Sequence, residues 1–364
     1  MADDRNREML HLRGARSFAP GRFETVQREP FNDGWTREDE AAAPLETQVT
    51  EERARSIVAR NDSPDVPFEQ SINPYRGCEH GCVYCYARPS HAYLELSPGL
   101  DFETRLFAKV NAAELLRTEL AKPGYKPSPI SLGANTDCYQ PIERKYKITR
   151  SIIEVLAECE HPFTIVTKSA LVERDLDILG PMARKNLVKV FVSIGSLDRV
   201  LARKLEPRAA SPQRRVDVIR ALAGAGVPVG VMVAPIIPAL TDKSIEHSLE
   251  AGAEAGATMA GYTLMRLPNE LKDIFKEWLA AHYPERAAHV ISIVRQTRGG
   301  RDNDPRFGAR MTGTGEYAEL IARRFEIACR RLGLNGEERG TVARRELDCS
   351  RFRPPLQGGQ MRLL

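Results

Sequence analysis

From Pro67 onward, short apolar runs alternate with longer segments of helical period, and the regular exchange of the two predicts an α/β fold. The runs 106–110, 130–133, 163–168, 188–194, 227–234 and 261–267 are rich in β-branched and aromatic residues and predict strands. Between them, 112–120 predicts a helix with Asn111 as cap and a stop near Pro123-Gly124, and 151–157 a helix with Thr149 as cap. Further helices are predicted over 171–182, over 213–223 behind Ser211 and Pro212, over 244–255, over 270–281 with Asn269 as cap, and over 316–332. Such alternation calls for parallel strands joined by right-handed helical crossovers, and periodicity alone does not choose between a doubly wound sheet and a barrel.

Residues 1–65 lack this texture. They are dense in Arg, Asp and Glu with scattered Pro and Gly, which predicts extended or disordered chain as far as Gln48 and a short helix or strand near 51–58. The expected organisation is an N-terminal extension over 1–66, a core domain over 67–283 and a basic C-terminal extension over 284–364.

The chain has 364 residues, 42% of them hydrophobic, enough for one large domain with extensions or for two domains. No apolar run approaches the ~20 residues of a membrane span, so no membrane partner is expected and the expected location is cytoplasmic. The formal net charge of +4 is unevenly placed. From Arg286 to the end there are 16 Arg and no Lys against 9 Asp and Glu, a surplus of seven positive charges that leaves the preceding part three negative. A basic C-terminal surface follows.

The chemistry concentrates in one stretch, Asn73-Pro-Tyr-Arg-Gly-Cys78-Glu-His-Gly-Cys82-Val-Tyr-Cys85-Tyr86, which places three of the seven cysteines within eight residues. Three thiolates spaced C-x3-C-x2-C suffice for three irons of a cubane and leave the fourth iron open to a non-protein ligand. A structural zinc site is the competing reading. It wants four ligands, and His80 is the neighbouring candidate, but a loop this short strains to arrange all four tetrahedrally, and no second C-x2-C pair exists. A disulfide framework fits an odd number of cysteines in a long chain poorly.

This stretch resembles the signature of the radical S-adenosylmethionine superfamily, with Tyr84 as the aromatic residue before the third cysteine. The resemblance implies a partial (β/α)6 TIM-like barrel with N- and C-terminal extensions, a cluster loop after the first strand, and a cofactor lying across the strands' C-terminal ends. It also implies two cofactors, a 4Fe-4S cluster on Cys78, Cys82 and Cys85 and S-adenosyl-L-methionine, with a flavodoxin- or ferredoxin-like reductant as electron donor. Gly133-Ala-Asn135-Thr136-Asp137 stands where the superfamily has a small-residue motif that binds the methionyl amine. It departs from the common Gly-Gly-Glu form, and Asn135 and Asp137 are its candidate contacts. By the same resemblance Ser193 is the hydroxyl near the ribose, Arg208 or Arg214 the clamp on the methionyl carboxylate, and Pro235, with Leu264 to Leu267, the backing of the adenine. Within the superfamily the chain is similar to the spore photoproduct lyase-like branch through Asn73 to Cys78, Asn135-Thr-Asp-Cys-Tyr-Gln-Pro-Ile-Glu143 and Val233-Ala-Pro-Ile-Ile-Pro238. That branch makes Cys138 a candidate hydrogen donor, although it follows the Thr-Asp pair where the donor is expected ahead of it.

The expected function is radical chemistry by hydrogen abstraction. The alternatives are a metal-stabilised nucleic-acid-binding protein and a non-catalytic iron–sulfur redox or regulatory protein. A nucleic-acid substrate is expected from the guanidiniums of Arg295, Arg298, Arg301, Arg306, Arg310, Arg323, Arg324, Arg330 and Arg331, which suit phosphate contacts. Against it stands a plain solvated helix face balanced by Glu319 and Glu326.

Overall fold

The computed structural model describes residues 13–24, 45–336 and 346–355. Ten strands fall within them: β1 (Gln48–Glu52), β2 (Val58–Arg60), β3 (Gln70–Ile72), β4 (Tyr75–Arg76), β5 (Arg105–Lys109), β6 (Ile130–Leu132), β7 (Phe163–Thr167), β8 (Val188–Ser193), β9 (Val229–Ile236) and β10 (Met259–Leu264). Seven form one open sheet in the order β10-β9-β8-β7-β6-β3-β2, parallel throughout except for the antiparallel β2–β3 pair at its edge. The six parallel strands therefore lie in chain order, as in a partial (β/α)6 barrel. Val188, Val190 and Val192 of β8 and Val229, Val231 and Val233 of β9 are buried, each contributing roughly 1.5–3 kcal/mol of transfer free energy.

Helices connect successive strands. Ile148–Glu158 links β6 to β7, Leu176–Arg184 links β7 to β8, Pro212–Gly224 links β8 to β9 and Ile245–Glu254 links β9 to β10. Ser211 caps the third of these by accepting from Arg214 N, and Pro212 opens it as expected. The other three predicted caps fail, because their side chains serve tertiary contacts or none. Asn111 bridges Ala54 N and Ala54 O, Thr149 lies inside its helix and donates to Cys138 O, and Asn269 makes no side-chain cap bond. The helix predicted over 171–182 begins as a tight turn, Ala170–Asp175, before the α-helix Leu176–Arg184. The helix Pro284–Gln296 was not predicted, and it packs directly on Leu271–His282 around Phe275, Trp278 and Val290.

Two expectations need correction. The strand near 106–110 exists as β5 but lies outside the main sheet, in a small second sheet of order β1-β5-β4. The irregular N-terminal chain is not loose over 13–24: Ala15 is buried, and its neighbours bond to the segment carrying Glu103.

Candidate active site

The cysteine loop runs from β4 to the turn Arg88–Leu94, and two glycines let it fold tightly. Gly77 and Gly81 have φ of 73° and 66°, a region other residues rarely enter. A Cβ on Gly77 would stand 2.8 Å from Phe102 O, and one on Gly81 would stand 2.5 Å from Glu103 Oε2. Cys78 N donates to Phe102 O at 2.9 Å and Val83 N to Leu205 O at 3.0 Å, so both halves of the loop are anchored outside it. Beneath it the fully buried Arg88 donates to the carbonyls of Gly81, Cys82, Pro98 and Gly99 and pairs with Glu103. Glu103 also accepts from Gly14 N at 2.9 Å and Ala15 N at 2.7 Å. The bonded neighbours in front of the loop come from segments that follow β6 and β8, which sets the loop over the C-terminal ends of the parallel strands.

All three thiols are free, with Cys78 and Cys82 buried and Cys85 half-exposed. Burial pushes the Cys78 thiol up, as do Asp137 and the other two cysteines, so the three lie within electrostatic reach of one another. Burial also pushes Cys82 up, to about 12. Among the described residues no three His, Cys, Asp or Glu side chains converge as a single metal ion requires. The buried Nδ1 of His80 stands 3.3 Å from Asp137 Oδ2 without a well-aligned hydrogen bond. Three thiols on one short anchored loop suit a cubane, in which each would bind a different iron, and ligation would supply the drive for deprotonation that burial withholds.

The predicted cofactor residues divide into those at this loop and those away from it. Asp137 lies beside it, but its carboxylate is already filled: Oδ1 accepts from Tyr139 N at 2.9 Å and Thr167 Oγ1 at 2.8 Å, and Oδ2 from Lys168 N at 2.7 Å. Burial acts to raise this carboxyl, yet His80 and the donors bring it down to about 2. Asn135 donates its backbone N–H to Asn73 Oδ1 at 2.8 Å, tying the turn after β6 to the start of the loop. Tyr84 is buried and donates to Glu206, which pairs with the buried Arg215. Arg215 in turn donates to Ser193 O at 2.9 Å, so Tyr84 and Ser193 belong to one buried network. Burial acts to raise the Glu206 carboxyl, and Arg215 and Lys168 overcome it, holding the group below the usual carboxylate range. Arg208 pairs with Glu79 of the loop at 2.6 Å and keeps a buried Nε without a partner. Pro235 follows a cis peptide bond near the end of β9 and is half-buried.

Two residues stand apart from this group, and Arg214 does not fit its expected role. Arg214 is exposed and pairs with Glu173 on the surface, because the helix turns its neighbour Arg215 inward. Cys138 is fully buried in the main hydrophobic core against the Gly133 turn, and burial pushes its thiol well up. The structure adds Gln140, which accepts from Glu79 N and donates to Gly77 O, and Lys168 at the end of β7. Lys168 Nζ lies 5.8 Å from the Tyr84 ring centroid and has no ion-pair partner among the described residues. A detectable signal existed for Arg215, which shares a helical stripe with Ile219 and Leu222. None existed for Lys168, which looks like any polar strand end.

Residues 72–252 match the Radical SAM superfamily. An uncharacterised protein of Mycobacterium tuberculosis (strain ATCC 25618 / H37Rv) is 39% identical over 233 residues, covering 64% of this chain and 68% of that one. The chain belongs to the radical SAM superfamily. It is a radical SAM enzyme by that membership. An uncharacterised protein of Methanocaldococcus jannaschii is 29% identical over 171 residues, covering 47% of this chain and 61% of that one. Spore photoproduct lyase in complex with dinucleoside spore photoproduct shares the fold with a TM-score of 0.58 at 19% identity, covering 79% of this chain and 80% of that one. A variant of that lyase with bound AdoMet and the dinucleoside aligns equally well.

In this radical SAM chain the basic C-terminal part is largely consumed internally. Arg295 pairs with Asp302, Arg306 with Asp304, Arg310 with Asp65, Arg324 with Glu246, Arg330 with Glu326 and Arg331 with Glu250. Arg298, expected to contact phosphate, is fully buried and donates to Leu264 O, Met265 O and Ala309 O. Among the described residues Arg301, Arg323 and Arg353 remain exposed with no side-chain partner. No helix among the described residues is long and apolar enough to cross a membrane.

Proposed function

We propose that the chain holds a 4Fe-4S cluster on Cys78, Cys82 and Cys85, binds S-adenosylmethionine at the fourth iron, and abstracts hydrogen from a substrate at the C-terminal ends of the strands. The observation that carries this reading is the anchored loop: three free thiols within eight residues sit on a backbone fixed by Arg88, Glu103 and Gln140. When bound, the cluster and cofactor, given one electron from a flavodoxin- or ferredoxin-like reductant, supply methionine and a 5'-deoxyadenosyl radical.

The chain's own residues position and enclose. Asp137, filled by donors from β7 and its following residue, acts as a positioning residue that locks the turn after β6 against Lys168. Lys168, an unpaired ammonium beside Tyr84, is the cation available on this side for a carboxylate such as that of the methionyl group. Burial acts to lower its pKa, and Cys82 and Glu206 outweigh burial, so it stays charged. Tyr84, Glu206 and Arg215 form a satisfied network that excludes water from one flank of the loop. Cys138 has no part in this reading, which ends at hydrogen abstraction. A nucleic-acid substrate stays within it, with exposed Arg301 and Arg323 as the candidate phosphate contacts.

Anaerobic reconstitution with iron and sulfide tests the cluster. About four irons per chain with thiolate-to-iron absorption is expected, and Cys78→Ala, Cys82→Ala or Cys85→Ala each should lose most of the iron. Stoichiometric zinc with no iron retained would overturn the assignment.

A further inference from the structure

Most arginines near the mouth of the sheet are matched to an acceptor, and one is not. Arg266 follows β10, and its guanidinium carbon lies 4.4 Å from the centroid of the Tyr86 ring. Among the described residues its five N–H donors meet no hydrogen-bond acceptor and no carboxylate. The nearest carboxylate, that of Asp65, is taken by Arg310. Arg298 is committed to backbone carbonyls, so it adds positive charge without offering Arg266 relief. Burial lowers the pKa of Arg266, and the like charge of Arg310 adds to that, while Tyr86, Cys85 and the Asp65 carboxylate oppose it without overcoming it. A half-buried cation with open donors and no carboxylate bonded to it gains from any oxyanion that reaches it, and the planar fork suits phosphate and carboxylate alike.

Tyr86 fixes where that oxyanion would stand. It directly follows Cys85, its ring is 44% exposed, and its hydroxyl donates to Ala134 O in the turn after β6. The ring thus links the cysteine loop to the turn after β6 and carries Arg266 over its face, a contact that holds the guanidinium in place without using its donors.

We propose that Arg266 and Tyr86 form an oxyanion subsite that fixes an anionic group of the substrate, phosphate or carboxylate, beside the exposed edge of the cysteine loop. This rests on the proposed function for what happens next to it, but the subsite is a property of the folded chain and is measured without turnover.

The test is modification of the full chain by phenylglyoxal, read at each arginine by mass spectrometry. Arg266 reacts faster than the ion-paired Arg310, and millimolar inorganic phosphate or acetate slows it about tenfold, while exposed Arg301 is not slowed beyond what potassium chloride of equal ionic strength achieves. Stronger protection by phosphate marks a phosphoryl-bearing substrate and stronger protection by acetate a carboxylate-bearing one. Tyr86→Leu, which removes the platform, weakens the protection. Arg266 reacting no faster than Arg310, or equal protection at Arg301, overturns the subsite. Protection by S-adenosylmethionine alone, with none from phosphate or acetate, also overturns it by assigning Arg266 to the cofactor. Loss of the cluster reading shows up instead in iron content and leaves this footprint unchanged.

Discussion

Arg298 and Arg301 stand three residues apart in the same basic segment and behave as different kinds of residue. Arg298 donates to three buried carbonyls, and burial brings its pKa down to about 10. Arg301 is exposed. Arg298→Gln should therefore destabilise the protein by about 3 kcal/mol, because carbonyls at the end of β10 lose their donors, while Arg301→Gln should stay within about 0.5 kcal/mol. Urea unfolding of the two variants measures both, and equal small effects would return Arg298 to the surface. The sequence marks both as basic residues flanked by glycine, and nothing local says which is inside. The same holds for Arg214 and Arg215, where only the helical stripe shared with Ile219 and Leu222 separates the exposed residue from the buried one. Composition registers charge; which charges are internally matched depends on partners such as Asp65, 245 residues from Arg310.

At the scale of elements, the segment 13–24 behaves as a strap across the back of the cysteine loop. Gly14 and Ala15 give their N–H groups to Glu103, which also holds Arg88, and Leu100 N bonds to Ser17 O. Gly14 lies so close to Gly81 O that no side chain fits between them. Gly14→Val should lift the strap and expose the back of the loop without reaching the main sheet. The expected outcome is unchanged far-UV circular dichroism with iron lost to a chelator several times faster than from the unaltered protein. Retention at the same rate would show that the strap does not protect the loop. This element was hidden from sequence reading because it has no apolar period: its hold comes from backbone N–H groups on Glu103 and from Arg13, Ser17 and Arg22 bonded to partners far along the chain. The cysteine loop was legible for the opposite reason, since its chemistry and its glycines are contiguous. The caps fared worst, because Asn111 and Thr149 found tertiary partners that outcompeted the local N–H groups.

At the scale of the molecule, five of the six parallel strands, β6 to β10, follow the chain order that alternating apolar runs suggested, while β3, with Gln70 and Ser71, carries no apolar run that would mark it, and the crossover helices lie between the strands where predicted. β5 was placed in the wrong sheet because a strand pattern carries no information about its partner, and here the partners are β1 and β4. Sheet order matters to function because it collects the ends of β6, β7, β8 and β10 around one loop, bringing Asp137, Lys168, Ser193 and Arg266 to the same edge from four separate stretches of chain. The most direct measurement of the central claim is the product formed when the reconstituted protein meets S-adenosylmethionine and dithionite under anaerobic conditions. The account predicts 5'-deoxyadenosine, with formation abolished in Cys82→Ala. A fully loaded cluster that yields no 5'-deoxyadenosine, or yields it equally well without Cys82, would contradict it.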